Sequence, residues 1–232
     1  MSLWSPSPQD AARRLADLRV SYDAGTLDMG DLHSSPLDQF HAWLADALAV
    51  GLPEANAMVA STAGEDGQPS ARTVLLKDVD NRGFAFFTNL ESRKGRELAA
   101  NPGISLVFPW FAMHRQVVVV GRASLLDRRE VDEYYASRPR GSRLGAWASR
   151  QSEVIADRTI LDESLASLTE QYGEDDDIPT PGFWGGWLVR PLTVEFWQGR
   201  ESRLHDRLRF RAVVDAADLG RGDHWVVERL SP

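Results

Sequence analysis

Cysteine is absent from all 232 residues, so the chain has no disulfide framework, no thiolate nucleophile and no Cys-ligated zinc or iron–sulfur centre. Lysine is nearly absent: among 26 Lys plus Arg, only Lys77 and Lys94 are lysines. No stretch approaches the roughly 20 apolar residues that span a bilayer, and Met1 to Asp10 holds no basic segment followed by an apolar one. The expectation is a cytoplasmic protein with no membrane partner. Positive charge is not in excess either. The 34 Asp plus Glu leave a net charge of -8, which argues against neutralising a nucleic-acid backbone over a wide face. Also missing are GxGxxG, a Walker loop, HExxH and GxSxG, which removes the commonest dinucleotide, nucleotide, zinc-protease and hydrolase signatures.

What is present reads as helices around a β-meander. Ser7-Pro8-Gln9-Asp10 starts a helix with a Ser cap and Pro at its first position; it is expected to run to Tyr22. Ser35-Pro36-Leu37-Asp38 repeats the signal, and Leu37, Phe40, Leu44, Ala47 and Leu48 recur at helical spacing. From Met58 the texture changes to short runs separated by turn residues. Strands are predicted over Met58–Ala63, Ala71–Asp78, Phe84–Thr88, Ile104–Phe108 and Gln116–Leu125, with a helix over Arg93–Ala100 stopped by Asn101-Pro102. The run Val117 to Val120 has no polar alternation and is expected to be buried on both faces. Asp127-Arg128-Arg129-Glu130 opens a helix to Ser137 through a capping box, and another covers Ile155–Tyr172. Further strands are predicted at Trp187–Arg190, Thr193–Gln198, Leu208–Val214 and Trp225–Leu230. The sum is one globular unit, mainly β with flanking helices (α+β), a largely antiparallel barrel over residues 58–232 preceded by a helical extension over 1–57.

The polar signal gathers in four places. Arg72-Thr73-Val74-Leu75-Leu76-Lys77 alternates on a predicted strand, which sends the two cations to opposite sides; taken alone, such a pair is an exposed edge with charged ends. Thr88-Asn89-Leu90-Glu91-Ser92-Arg93-Lys94-Gly95 joins a strand to a helix start and brings hydroxyls, free helix N–H groups and two cations together, an arrangement suited to a phosphate dianion. The alternative there is a capped helix with a basic first turn, which the helix dipole disfavours unless an anion compensates. That both lysines fall in these segments is read two ways, as survivors of a bias toward Arg or as places where a compact ammonium is wanted. Ser137 to Ser152 and Glu195 to Arg207 combine rigid aromatics with charge; in the second, Arg203, His205 and Arg207 would line one face if the segment were a strand.

These pieces carry a family pattern. RTVLLK (Arg72 to Lys77), FFTN with SRKG (Phe86 to Gly95), FPW (Phe108 to Trp110), RQV with GRA (Arg115 to Ala123), SRPRGS (Ser137 to Ser142), GAWAS with QS (Gly145 to Ser152), FWGG (Phe183 to Gly186), EFWQG (Glu195 to Gly199), RLHDR (Arg203 to Arg207) and the closing RLSP occur in order. Over Met58 to Pro232 the chain resembles the pyridoxine/pyridoxamine 5'-phosphate oxidases. The resemblance implies an FMN-binding split β-barrel and a homodimer with two FMN sites at the subunit interface. It implies oxidation of pyridoxamine or pyridoxine 5'-phosphate to pyridoxal 5'-phosphate by hydride transfer to the flavin, with O2 as acceptor. Arg72, Arg93 and Lys94 would hold the FMN phosphate. Thr73, Val74, Leu75, Leu76, Lys77, Phe87 and Thr88 would lie along the cofactor, and Gln116, Gln151, Ser152, Trp197 and Arg207 would complete its site. Lys77, Tyr134, Arg138 and Ser142 would grip the substrate phosphate, and Arg203, Leu204 and His205 would meet the pyridine ring, with Arg203 and His205 as the catalytic pair. Relatives of this type carry Arg-Arg-Glu-Tyr near the end of the first helix as part of an active-site lid. This chain has Arg19-Val20-Ser21-Tyr22 instead, so Arg19 and Tyr22 stand as its lid candidates while the second Arg and the Glu are missing.

Overall fold

Ser35 caps the first described helix, α1 (Pro36–Ala49), its hydroxyl accepting from the Asp38 N–H at 3.2 Å, and Pro36 takes the first turn, where no N–H donor is needed. The structure is a computed structural model that describes Tyr22, residues 25–173 and residues 177–232. The helix expected from Ser7, Arg19 included, lies outside the described residues apart from Tyr22. The inner face of α1 does not stand off as a separate layer. Phe40 meets Phe84 and Phe108 edge-on, each with centroids 5.0 Å apart, and Trp43 meets Phe196 at 5.2 Å, so the helix plugs the main core.

Around that core runs a curled, fully antiparallel sheet of nine strands: β1 (Ala57–Ala63), β2 (Pro69–Leu75), β3 (Asp78–Asp80), β4 (Gly83–Asn89), β5 (Gly103–Trp110), β6 (Arg115–Leu125), β7 (Trp184–Gln198), β8 (Asp206–Ala212) and β9 (Trp225–Arg229). The order is β2-β1-β5-β6-β7-β4-β3, with β8 paired to β7 and β9. β7 is the fork. It pairs with β6 on one side; on the other, its first half pairs with β4 (Phe84↔Val189) and its second half with β8 (Phe196↔Leu208). The changeover falls at Pro191, opposite a register shift at Val120/Gly121. Proline has no N–H to give a ladder and sits best at a bulge, and Gly121 is needed there because a Cβ would lie 2.3 Å from the Arg190 carbonyl oxygen. The result is a half-barrel split at its middle strand.

The structure corrects four sequence expectations. The two strands read on either side of Pro191 are one, because the bulge absorbs the proline. Ala71–Asp78 divides into β2 and β3, and Leu76 between them drops into the core, its N–H bonded to Asn56. Val117 and Val119 are fully buried but Val120 is 44% exposed, since only one face of β6 meets the core. And α4 (Arg140–Ala148), which starts at Pro139 without a side-chain cap, appears where no helix was predicted. With α2 (Arg93–Ala100), α3 (Arg128–Ser137) and α5 (Thr159–Gln171) there are five α-helices among the described residues. α3 to α5 share a small second core of Tyr135, Leu144 and Ile178. No helix among the described residues is long and apolar enough to cross a membrane.

Candidate functional site

β2 is one edge of the sheet, and beside it the end of β4, the first turn of α2 and the α3–α4 corner enclose a cavity of about 730 Å³. Arg72, Thr73, Val74, Leu75 and Lys77 form one wall. Phe87 and Thr88 supply a second, with Arg93 and Lys94; Tyr134, Arg138 and Ser142 face them, with Gln151 and Ser152 at one end. Five cations stand on this wall and no Asp or Glu, in a chain that carries 34 acidic residues. Alternation placed Arg72 and Lys77 on opposite sides of a strand, yet both border this one cavity, because β2 is an edge and ends at Leu75 before reaching Lys77.

Lys94 is the most deeply set of the five, only 7% exposed. Its ammonium donates to Thr88 Oγ1 and Gln151 Oε1, both at 2.9 Å, and to Ser92 Oγ at 3.3 Å, which are neutral acceptors. Burial, then the charge of Arg72, lowers its pKa to about 8. The turn beneath it is tight: a Cβ on Gly95 would lie 2.1 Å from the Leu90 carbonyl oxygen. The Arg93 N–H donates to Ser152 Oγ at 3.2 Å. Arg72 is held by the Ala60 carbonyl oxygen at 3.1 Å, by the hydroxyls of Thr62 and Ser70, and by Glu97 at 3.4 Å; burial lowers its pKa against the opposing pull of Glu97. Across the cavity, Arg138 lies 4.2 Å over the Trp184 ring with its Nη1 buried and without a partner, and burial lowers its pKa too. Tyr134 stacks on Phe87 at 3.9 Å.

A second group forms where β6, β7 and β8 end. Trp197 and His205 have ring centroids 4.6 Å apart, and Tyr22 meets His114, His205 and Trp197 at 4.5, 5.6 and 5.9 Å. Tyr22, His114, Gln116 and Trp197 border a cleft of about 270 Å³. The Arg200 N–H donates to His205 Nδ1 at 3.1 Å, which leaves the neutral ring's proton on Nε2; burial, then Arg203, lowers the ring's pKa. Arg203, His205 and Arg207 do not share a strand face, since β8 begins at Asp206 and Arg203 sits in a short 3-10 turn at φ 63°. Arg203 and Leu204 are exposed. Arg207 is forked onto Glu195 at 2.7 and 3.1 Å.

The sequence-predicted site residues therefore fall into two groups, and none of the second borders the cavity of the first. Leu76 belongs to neither. Sequence reasoning missed Glu97, Trp184 and His114. The first had a readable sign, an acid four residues after Arg93 on one helix; His114, in left-handed backbone at φ 50°, had none.

Residues 44–172 match the family model of pyridoxamine 5'-phosphate oxidase, and residues 184–232 match the pyridoxine 5'-phosphate oxidase C-terminal dimerisation region. The chain is 54% identical to a pyridoxine/pyridoxamine 5'-phosphate oxidase of Frankia alni over 94% of its own length and 88% of that protein. It is 52% identical to one of Burkholderia multivorans over 94% and 99%. Among solved structures, PhzG from Burkholderia lata 383, in complex with tetrahydrophenazine-1-carboxylic acid, superposes with a TM-score of 0.81 at 30% identity, covering 92% of this chain and all of that one. A pyridoxamine 5'-phosphate oxidase-related, FMN binding protein of Nostoc punctiforme shares the fold, with a TM-score of 0.64 at 16% identity over 83% of this chain and 97% of that one. Cation-lined cavity, split barrel and matches over both halves agree: the chain belongs to the FMN-binding pyridoxine/pyridoxamine 5'-phosphate oxidase family.

Proposed function

We propose that the protein acts as a homodimer that oxidises pyridoxamine 5'-phosphate and pyridoxine 5'-phosphate to pyridoxal 5'-phosphate, with FMN seated between subunits. The observation that carries this reading is the wall of five cations without a carboxylate. A buried ammonium satisfied only by neutral oxygens, and a buried guanidinium nitrogen with no partner, are costly unless an anion arrives. FMN fits that requirement: Arg72, Arg93, Lys94 and the first N–H groups of α2 would take its phosphate, and Val74, Leu75 and Phe87 would flank the ring system. A second phosphate, the substrate's, would meet Lys77, Arg138, Tyr134 and Ser142.

FMN held there would supply the redox chemistry, a two-electron acceptor for the C4' hydride of the substrate that O2 can reoxidise with release of hydrogen peroxide. The chain's own task is placement. Holding both phosphates on fixed cations sets the substrate ring against the cofactor, a placement worth up to roughly 7–11 kcal/mol of the barrier where alignment is good. Arg203, Leu204 and His205, with Gln116, Trp197 and Arg207, would come from the partner subunit to close the ring end; this accounts for two half-sites that never meet among the described residues of one chain and for a dimerisation region that contains Trp197 and Arg203 to Arg207 of the second. With the amine substrate, water completes the conversion and ammonia leaves. His205 Nε2–H is the group available there to hold or donate a proton.

The likeness to PhzG supports a second reading, oxidation of a phenazine precursor. The two part at Arg138 and Lys77, which a substrate without a phosphate does not require. The test is an anaerobic absorbance titration of the purified protein with pyridoxamine 5'-phosphate: bleaching of the flavin band, reversed by air with release of pyridoxal 5'-phosphate and peroxide, is expected. A yellow protein whose spectrum does not respond, but responds to a reduced phenazine carboxylate, would favour the second reading.

A further inference from the structure

Glu97 lies behind the cation wall rather than on it. It is on the second turn of α2, its side chain 11% exposed, and it reaches toward β1 and β2. Its Oε2 takes the Thr62 hydroxyl at 2.5 Å, the Ser70 hydroxyl at 2.6 Å and Arg72 Nη2 at 3.4 Å, while Oε1 takes Arg93 Nε at 2.8 Å. The two hydroxyls also accept from Arg72, Thr62 from Nη1 and Ser70 from Nη2.

A hydroxyl has one proton to give. Because a carboxylate can only accept, Thr62 and Ser70 must both point their protons at Glu97, which turns their lone pairs toward Arg72. The carboxylate thus fixes Arg72 through Oε2, directly and through two oriented hydroxyls, and fixes Arg93 through its other oxygen, Oε1. All four terminal N–H groups of Arg72 are occupied by Ala60, Thr62, Ser70 and Glu97, leaving Nε–H without a protein partner among the described residues. Charge agrees with geometry: Arg72, Arg93 and Lys94 less Glu97 leave a net of two positive charges, the complement of a phosphate that carries about two negative ones. Burial pulls the Glu97 carboxyl upward, but the hydroxyls of Ser70 and Thr62 and the Arg93 guanidinium outweigh it and hold the pKa at about 2, so the acid is ionised at neutral pH.

We infer that Glu97 is a positioning residue for the cofactor phosphate, one that sets Arg72 and Arg93 in place before FMN arrives and trims the cradle to the charge of a phosphate dianion. The inference rests on the proposed FMN seat. It makes an unusual demand, namely that deleting a negative charge near an anion site weakens anion binding. In Glu97→Gln the amide nitrogen is a donor and has to face either the hydroxyls or a guanidinium, so the relay loses its direction.

The experiment compares FMN with riboflavin, which has the same ring and no phosphate, by fluorescence titration of the flavin-free dimer. Glu97→Gln is expected to raise the Kd for FMN by roughly tenfold to a hundredfold, the effect of losing one or two charge-assisted hydrogen bonds, while the Kd for riboflavin stays put. Ser70→Ala, which removes one relay hydroxyl on an edge strand, is expected to shift the same ratio in the same direction by less. A preference for FMN over riboflavin, Kd(riboflavin)/Kd(FMN), that is unchanged or increased in Glu97→Gln, or a parallel loss of both flavins, overturns the inference. A wild-type protein that binds FMN no better than riboflavin would instead overturn the phosphate seat itself, so the two failures are told apart.

Discussion

The two half-sites differ in how their charges are settled. At the β2–α2 cavity, Lys94 is buried and Arg138 half-buried against neutral groups, and among the described residues the only carboxylate in contact with these cations is Glu97, from behind. At the β6–β8 end, four arginines are already paired, Arg207 with Glu195, Arg115 with Asp46, and Arg200 and Arg229 with Asp206, and Arg203 stands exposed to solvent. A buried cation lacking an anion raises the energy of the empty protein, whereas paired ones do not. The first region is therefore built to be completed by a ligand, and the second is built to be rigid without one, presenting Trp197, His205 and Tyr22 as a firm aromatic surface.

This contrast can be broken at either end. The largest effect is expected from Arg203→Ala, which should leave FMN bound and lower kcat by more than about a hundredfold if the residue clamps the substrate ring, since misplacement at the reacting centre costs on that order; normal turnover with full flavin content would remove it from the chemistry. Next comes Lys94→Met, similar in length but without charge, for which the FMN Kd should rise by roughly a hundredfold, the effect of one buried charge pair. Flavin content unchanged after dialysis would mean that the buried ammonium is satisfied by Thr88 and Gln151 alone. Smaller again is Lys77→Ala, expected to raise KM for the phosphorylated substrate by about tenfold through one exposed cation, with flavin binding intact; an unmoved KM would place the substrate phosphate elsewhere.

The mildest test is pH. Lys94, held at about 8 instead of its ordinary 10.5, binds a dianion only when protonated, so FMN affinity should fall as pH rises past about 8, by no more than about tenfold per unit. The stability of the flavin-free fold runs the other way. Between about 8 and 10.5 the unfolded chain keeps a proton that the folded one has released, so unfolding becomes harder as pH rises through that window. Flavin titrations and thermal melts on both sides of pH 8 check both signs, and a flat FMN affinity would take Lys94 out of the cradle.

How much of this was legible beforehand varies with the range of the interaction. Helix α2 and its basic first turn were readable to the residue, because Ser92 and Pro102 bracket it with local signals. So was the capping box at Asp127 and Glu130. The cation set Arg72, Arg93, Lys94 and Arg138 was named from pattern and resemblance. That Arg72 and Lys77 share one cavity was not, since strand alternation says the reverse and only the position of β2 at a sheet edge decides it. Pro191 misled for the same kind of reason: proline ends a strand locally, but Gly121 on a strand some 70 positions away supplies the bulge that receives it. The expected common face of Arg203, His205 and Arg207 failed because left-handed backbone at Ser202 and Arg203 delays the start of β8.

What the sequence determined by itself is chemistry and local form: no thiol, two lysines, a helix begun by the Ser35-Pro36 cap, and clusters of Arg, Ser and Thr suited to phosphate. These follow from side-chain types and from interactions within about four residues, which need no knowledge of the rest of the chain. Only the tertiary structure decided which cations meet without an acid among them, that Glu97 stands behind them, and that Arg203, Leu204 and His205 lie at a separate end. Those facts depend on which strands are neighbours and where the sheet splits, and such long-range pairings are set by burial of the whole core rather than by any one segment.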